Sequence, residues 1–204
     1  MVAGFARPLI NISKECFGDI MENVVGHALI PPFDPYANDI NYLLASYLIP
    51  YVGLTGYVGA ASNLQDPVFK NWWLGFWAWN QVKMQLSELY SIKNRIGRYF
   101  LIKKKSNRRY PPQFYTVADF TNMISEFRDK LGGEGLKDEG IWVDQRLGAE
   151  GKVNGNVLAG DEYSMSYERS PNEILRIVYG NKDGVPGGFF PNGAGGKFAR
   201  AYHN

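Results

Sequence analysis

Apolar residues recur at helical spacing in three stretches of the chain, each bounded by residues that start or stop a helix. Between Ser13 and Val25, Phe17, Ile20, Met21 and Val24 share one face, and Ser13 stands where a helix cap is needed. Between Thr116 and Leu131, Val117, Phe120, Ile124, Phe127 and Leu131 form a stripe. Thr116 and Asp119 have capping-box spacing there, and Gly132-Gly133 stops the helix. The third stretch opens with Ser170-Pro171-Asn172-Glu173, proline at the first helical position and glutamate at the third. Ile174, Leu175, Ile177 and Val178 supply its stripe, and Gly180 ends it.

A different pattern follows the rigid turn Pro31-Pro32-Phe33-Asp34-Pro35, which cannot continue a helix. Asn38 caps a run from Ile40 to Ala61 of 22 residues without a charge. That length spans a bilayer, but Asn41, Tyr42, Ser46, Tyr47, Tyr51, Thr55 and Tyr57 make it more polar than a membrane helix. A helix buried on all sides of a bundle fits better, with Pro50, Gly53, Gly56 and Gly59 bending it or allowing close contact. Gly140 to Asp161 holds short runs broken by Gly and Asn, and Asn154-Gly155 is a hairpin signal. Gly180 to Gly196 is a glycine-rich loop, and no internal repeat is found.

Composition narrows the class. Apolar residues at 45% and charged residues at 21% are globular proportions in a chain of 204 residues, which exclude wholesale disorder. Cys16 stands alone, so a disulfide framework and a cysteine-rich zinc module are both excluded. A net charge of +2 excludes a polyanion binder built on the whole chain. Met1 to Pro8 has no basic stretch followed by an apolar one, so no secretory signal opens the sequence. Asn11-Ile12-Ser13 is a glycosylation sequon, which matters only in a secreted protein.

Catalytic patterns are weak. His27 and His203 have no His or Cys at metal-ligand spacing. His27 reads as structural or exposed, and Cys16 as a buried thiol on an amphipathic helix. Gly193-Ala194-Gly195-Gly196-Lys197-Phe198 fails as a phosphate loop, because position 191 is proline and Phe198 replaces the magnesium-binding Ser or Thr. Asp138-Glu139 and Asp161-Glu162 read as solvated loop charges. Four of the five tryptophans, Trp72, Trp73, Trp77 and Trp79, precede a basic cluster of Lys103, Lys104, Lys105, Arg108 and Arg109. Taken literally, this is a surface for nucleic acid or membrane.

Two long stretches resemble the plant desiccation-related proteins, a family of the ferritin-like superfamily. The first runs from Phe5 to Phe69. It includes Pro31-Pro32-Phe33-Asp34-Pro35-Tyr36-Ala37-Asn38 and Ile49-Pro50-Tyr51-Val52-Gly53-Leu54-Thr55-Gly56-Tyr57-Val58-Gly59-Ala60. The second runs from Tyr115 to Tyr202. It includes Leu147-Gly148-Ala149-Glu150-Gly151-Lys152, Glu173-Ile174-Leu175-Arg176-Ile177-Val178-Tyr179-Gly180 and Val185-Pro186-Gly187-Gly188-Phe189. The resemblance implies a four-helix ferritin-like bundle with a C-terminal extension, in a stress-induced, usually secreted protein without established catalytic activity. It also makes Ile40–Ala61 a bundle helix rather than a membrane span.

Two departures qualify it. Met1 falls where family members are already past a signal peptide and two helices, so half a bundle is expected to be missing. Between Asn71 and about Phe114 the family's fourth helix is not legible. Back-translation of Trp72 to Gln85, read one nucleotide earlier, restores Val, Ala, Leu, Gly, Glu and Ala where the family has them. Trp72–Tyr90 is therefore read as fourth-helix coding sequence in the wrong frame, and the tryptophan and basic clusters as its by-products. A transcript with no family-like alternative frame would sink this reading.

The sequence thus predicts a mainly α fold. A partial ferritin-like bundle spans 1–131, with 71–114 aberrant. An irregular, glycine-rich extension spans 132–204, with short strands and one helix. A ferritin-like di-metal centre needs a Glu from each of two helices and Glu-x-x-His from each of the others. Ile40–Ala61 has no carboxylate, and the alternative frame supplies Glu with Gln three residues on. Accordingly no catalytic, cofactor-binding or metal residue is assigned, no cofactor is expected, and the chain is read as non-enzymatic. The expected role is structural or protective in stress, or that of a variant without function. Partners are unknown. Self-association through exposed apolar surface is expected, and a nucleic-acid partner or membrane span is not. The alternative is a membrane or nucleic-acid binder using 72–109. Salt-sensitive binding lost on neutralising Lys103, Lys104 and Lys105 would favour it. The family implies the secretory pathway, with no signal in this sequence to direct it there.

Overall fold

A computed structural model of the chain describes residues 7–61, 63–73, 115–133, 135–146, 152, 159–160 and 166–195. Six helices lie in these segments: α1 (Lys14–Val25), α2 (Asp39–Tyr47), α3 (Pro50–Ala61), α4 (Pro67–Trp73), α5 (Val117–Gly132) and α6 (Pro171–Tyr179).

The boundaries of α1, α5 and α6 follow from local hydrogen bonding. The Ser13 hydroxyl accepts from Cys16 N at 3.2 Å, and left-handed Gly26 closes α1. Thr116 and Asp119 complete a reciprocal capping box on α5, as Ser170 and Glu173 do on α6. Gly133 and Gly180 terminate these two helices at positive φ, where a side chain would be strained. Ser170→Ala should remove the α6 cap and lower stability by about 1 kcal/mol in a denaturant titration.

The uncharged run is not one helix, as the sequence pattern predicts, but two. Proline at position 50 lacks the N–H that would continue the α2 ladder. Leu48 N turns instead to Ala45 O at 3.2 Å, and α3 starts at Pro50. Asp39–Ala61 is still, among the described residues, the one stretch long and apolar enough to cross a membrane by length and composition; 44% of its most apolar window is buried within the protein.

Among the described residues two apolar clusters form most of the core, and a third, smaller one holds Tyr51, Leu54 and Ala159. The first joins α1, α2 and α5 through Cys16, Ile20, Met21, Leu44, Tyr47 and Ile124, with Phe33 from the proline turn and Phe189 from the tail. The second joins α3, α5 and α6 through Val52, Leu131, Leu175, Ile177 and Val178. Helix α5 runs through both clusters, and the residues after it pack on the helices before it.

Strands predicted for the C-terminal region are absent from its described residues. The isolated bridges Gly160–Ser166 and Gly187–Phe190 occur there. The tail spends its hydrogen bonds on α6 instead. Phe189 N donates to Val178 O at 3.2 Å, and the Asn181 side chain bonds both the N–H and the carbonyl of Val185. The Asn154-Gly155 hairpin signal lies outside the described residues.

Candidate functional site

The residues with the most demanding chemistry meet where α5 ends, α6 begins and α2 gives way to α3. Arg128 projects from the buried side of α5, one turn beyond Ile124. Its Nη2 donates to Asp138 Oδ1 at 2.9 Å, and its Nε lies 2.6 Å from Asp138 Oδ2. Its Nη1 donates to the carbonyls of Tyr47 and Leu48 at 2.6 and 3.2 Å, the oxygens at the break before Pro50. The guanidinium also lies 4.8 Å from the Tyr47 ring centroid and 5.3 Å from that of Tyr51, within cation–π range.

A second arginine extends the cluster. Arg169 Nη2 donates to Asp129 Oδ1 at 2.7 Å and lies 3.9 Å from Asp138 Oδ2. Its backbone N donates to Thr55 O in α3 at 3.0 Å. Lys137 Nζ contacts both oxygens of Glu173 at 2.9 and 3.1 Å, while Glu173 Oε2 accepts the Ser170 N–H. Arg176 caps the end of α5 by donating to the carbonyls of Leu131 and Gly132. Tyr51 donates its hydroxyl toward Lys137 O and Ala159 O, tying α3 to the segment after α5. Arg128, Lys137 and Arg169 thus face Asp129, Asp138 and Glu173, three cations against three carboxylates. The side chains of Arg128, Asp138, Arg169 and Glu173 are each 1% exposed.

Burial and pairing pull the acids apart. Burial outweighs the attraction of Arg128 and Arg169 for Asp138 and pushes its carboxyl up to about 6; it also raises Asp129. At Glu173 burial is overcome by the Ser170 N–H and by Lys137, and the carboxyl is held below its usual value. By linkage, the Asp138 contribution to stability is complete below its unfolded value near 3.8 and is lost as pH rises through about 6. The Glu173 contribution is complete above about 4.5 and is lost as pH falls through its lowered folded value. The chain should therefore melt several degrees higher at pH 5 than at pH 7.5, and Asp138→Asn should flatten that difference. A thermal scan across this range checks both.

The structure revises one reading and locates the others. Asp138, expected to be a solvated loop charge, is buried, because the loop after α5 folds back onto Arg128. Glu139 beside it is half-buried, and burial raises its carboxyl too. Cys16 is buried in the first core cluster, and burial, then Asp19, pushes its thiol up. His27 is exposed, with Nε2 3.1 Å from the Tyr115 hydroxyl and Nδ1 3.0 Å from Ala28 O. Trp72 is exposed on α4. His203, Lys197, Phe198, Asp161, Glu162, Trp77, Trp79, Lys103, Lys104, Lys105, Arg108 and Arg109 lie outside the described residues, as does most of the 71–114 segment. Sequence reasoning missed Arg128, Lys137, Arg169 and Glu173 as a group. Arg128 carries the one available signal, since it sits on the apolar stripe between Ile124 and Leu131.

Among the described residues no group of three or more His, Cys, Asp or Glu side chains comes together as metal ligands would. The deeply buried acids face arginine and lysine.

The described residues are mainly helical, with no strand among them. A ferritin-like domain model matches residues 1–75. The chain's similarities support a plant desiccation-related family of ferritin-like proteins. It is 47% identical over 174 residues to the desiccation-related protein PCC13-62 of Craterostigma plantagineum, which covers 85% of this chain and 52% of that one. It is 41% identical over 205 residues to the ferritin-like catalase Nec2 of Nesocodon mauritianus, covering 98% of this chain and 61% of that one. The chain thus spans between half and two thirds of the length of these relatives. No solved structure matches it.

Proposed function

We propose that this chain acts as a non-catalytic protective protein in desiccation stress. The observation that carries the reading is the use of its buried ionisable groups. Arg128, Asp138, Arg169, Asp129, Lys137 and Glu173 neutralise one another and fasten the segment after α5 to α3 and α6. A charge cluster paired in this way contributes to a fixed architecture, with each of its acids turned to a cation. Similarity to the desiccation-related protein supports the same reading. The test is protection of a drying-sensitive reporter enzyme by the full chain. Protection should scale with the molar ratio of chain to reporter and be unchanged by a metal chelator. No protection above that of serum albumin at equal mass would overturn it.

A second reading is peroxide decomposition. It is favoured by the 41% identity to a relative named as a catalase, which extends over nearly the whole chain. Oxygen release from peroxide after incubation with manganese or iron, above the rate of the free ion, would establish it. On the first reading the two rates are equal.

A further inference from the structure

The Asn11-Ile12-Ser13 sequon is left unused by the charge network and by the proposed role. The residues before α1 run in irregular backbone against the C-terminal loop, where Asn11 N donates to Phe189 O at 2.9 Å. The Asn11 side chain is oriented by its own Oδ1, which accepts from Ser13 N at 3.1 Å. Among the described residues no acceptor meets its Nδ2. On either side of Asn11, Leu9 and Ile12 are about three fifths exposed, at 60% and 59%. Tyr36 is exposed to the same degree beside them, its hydroxyl donating to Ile12 O at 2.6 Å. Exposed apolar side chains thus flank Asn11 in the chain and at Tyr36, and its amide nitrogen meets no acceptor among the described residues.

We propose that Asn11 is the acceptor of an N-linked glycan, and that the glycan shields the strip formed by Leu9, Ile12 and Tyr36. The donor class is an oligosaccharide joined through a diphosphate to a lipid. The Asn11 Nδ2 forms a bond to the first sugar's anomeric carbon, the bond from that carbon to the diphosphate oxygen breaks, and Nδ2 loses one proton. The lipid diphosphate leaves, and nothing is oxidised or reduced. Isoleucine at the middle position permits the reaction, which proline would block. Attachment at Nδ2 leaves the folded contacts intact, because Oδ1 still accepts from Ser13 N and the Ser13 hydroxyl still caps α1. Sugar rings present both hydroxyls and apolar faces, so they cover exposed aliphatic and aromatic side chains while keeping the surface wetted.

The test is expression of the full chain behind a secretory signal in plant cells, counting only material recovered from the medium. Release by peptide-N-glycosidase A in heavy-oxygen water should mark Asn11 as labelled aspartate in most molecules and increase gel mobility. Asn11→Gln should abolish both. Ser13→Asn keeps a good helix cap but destroys the sequon, so it should lose the glycan while retaining the melting behaviour of enzymatically deglycosylated protein. Both variants should self-associate at lower concentration than the glycosylated chain in sedimentation velocity. Recovery of secreted chain with Asn11 predominantly unmodified overturns the proposal. So does a glycan whose removal leaves self-association unchanged, because the shielding role then fails.

Discussion

Arg128→Met should lower the unfolding free energy by about 3–5 kcal/mol, the usual cost of breaking a buried ion pair from one side. Two further losses come with it: the carbonyls of Tyr47 and Leu48 lose the donor that occupies the break between α2 and α3, and the ring faces of Tyr47 and Tyr51 lose their cation. Methionine fills much of the volume, so the effect measures charge and hydrogen bonding more than a cavity. Stabilities of small domains are about 5–15 kcal/mol, so the variant should be partly unfolded at 37 °C. The double variant Arg128→Met with Asp138→Asn should be less destabilised than the single one, because it leaves no buried carboxylate without its partner. Urea titration of the four proteins measures the coupling. A loss below about 1 kcal/mol in Arg128→Met would show that the network does not hold the fold.

Gly59→Ala is expected to have the second large effect, and its sign separates two causes. In an exposed helix interior the substitution would stabilise by about 1 kcal/mol. Here a Cβ at position 59 would lie 2.3 Å from Arg169 O, 3.0 Å from Arg169 C and 3.3 Å from Arg169 N. All three are backbone atoms, so no rotamer change relieves the contact. Helix α3 must move away from the segment carrying Arg169, stretching the bond from Arg169 N to Thr55 O and displacing the guanidinium from Asp129. A net destabilisation of about 1–3 kcal/mol is expected, with faster hydrogen exchange at Arg169 N. Gly56→Ala is the matched control. Its Cβ would lie 3.1 Å from Ile174 Cδ1, the end of a side chain that can turn aside, so its effect should be close to neutral.

These two residues also show where a linear reading stops. The glycines of α3 are legible in the sequence as points of close approach or bending. What approaches them is not: Gly56 faces Ile174 and Gly59 faces the Arg169 backbone, both more than a hundred residues later. Asp138 is harder still. It stands between Lys137 and Glu139 in a window dominated by charge, which has the pattern of a solvated loop, yet it is buried by partners brought to it from α5 and from the segment before α6. Burial of a charge is decided by where its counter-charges fall, and a local window contains none of that information. The proline at position 50 marks a bend in the long run, but only the structure divides the run into two helices.

What the sequence by itself determined is the set of features whose energetics close within a few residues. The caps at Ser13, Thr116 and Ser170 are hydrogen bonds across three positions, the glycine stops need one residue in a left-handed conformation, and the apolar stripes repeat every turn. The family resemblance belongs with these, since it rests on long runs read directly from the chain. Only the tertiary structure decided that α5 joins two core clusters, that the tail bonds to α6 rather than pairing as strands, and that six charged side chains neutralise one another in the interior. Each depends on distant groups arriving at one place, where loss of solvent makes an unpaired charge costly and a paired one tolerable.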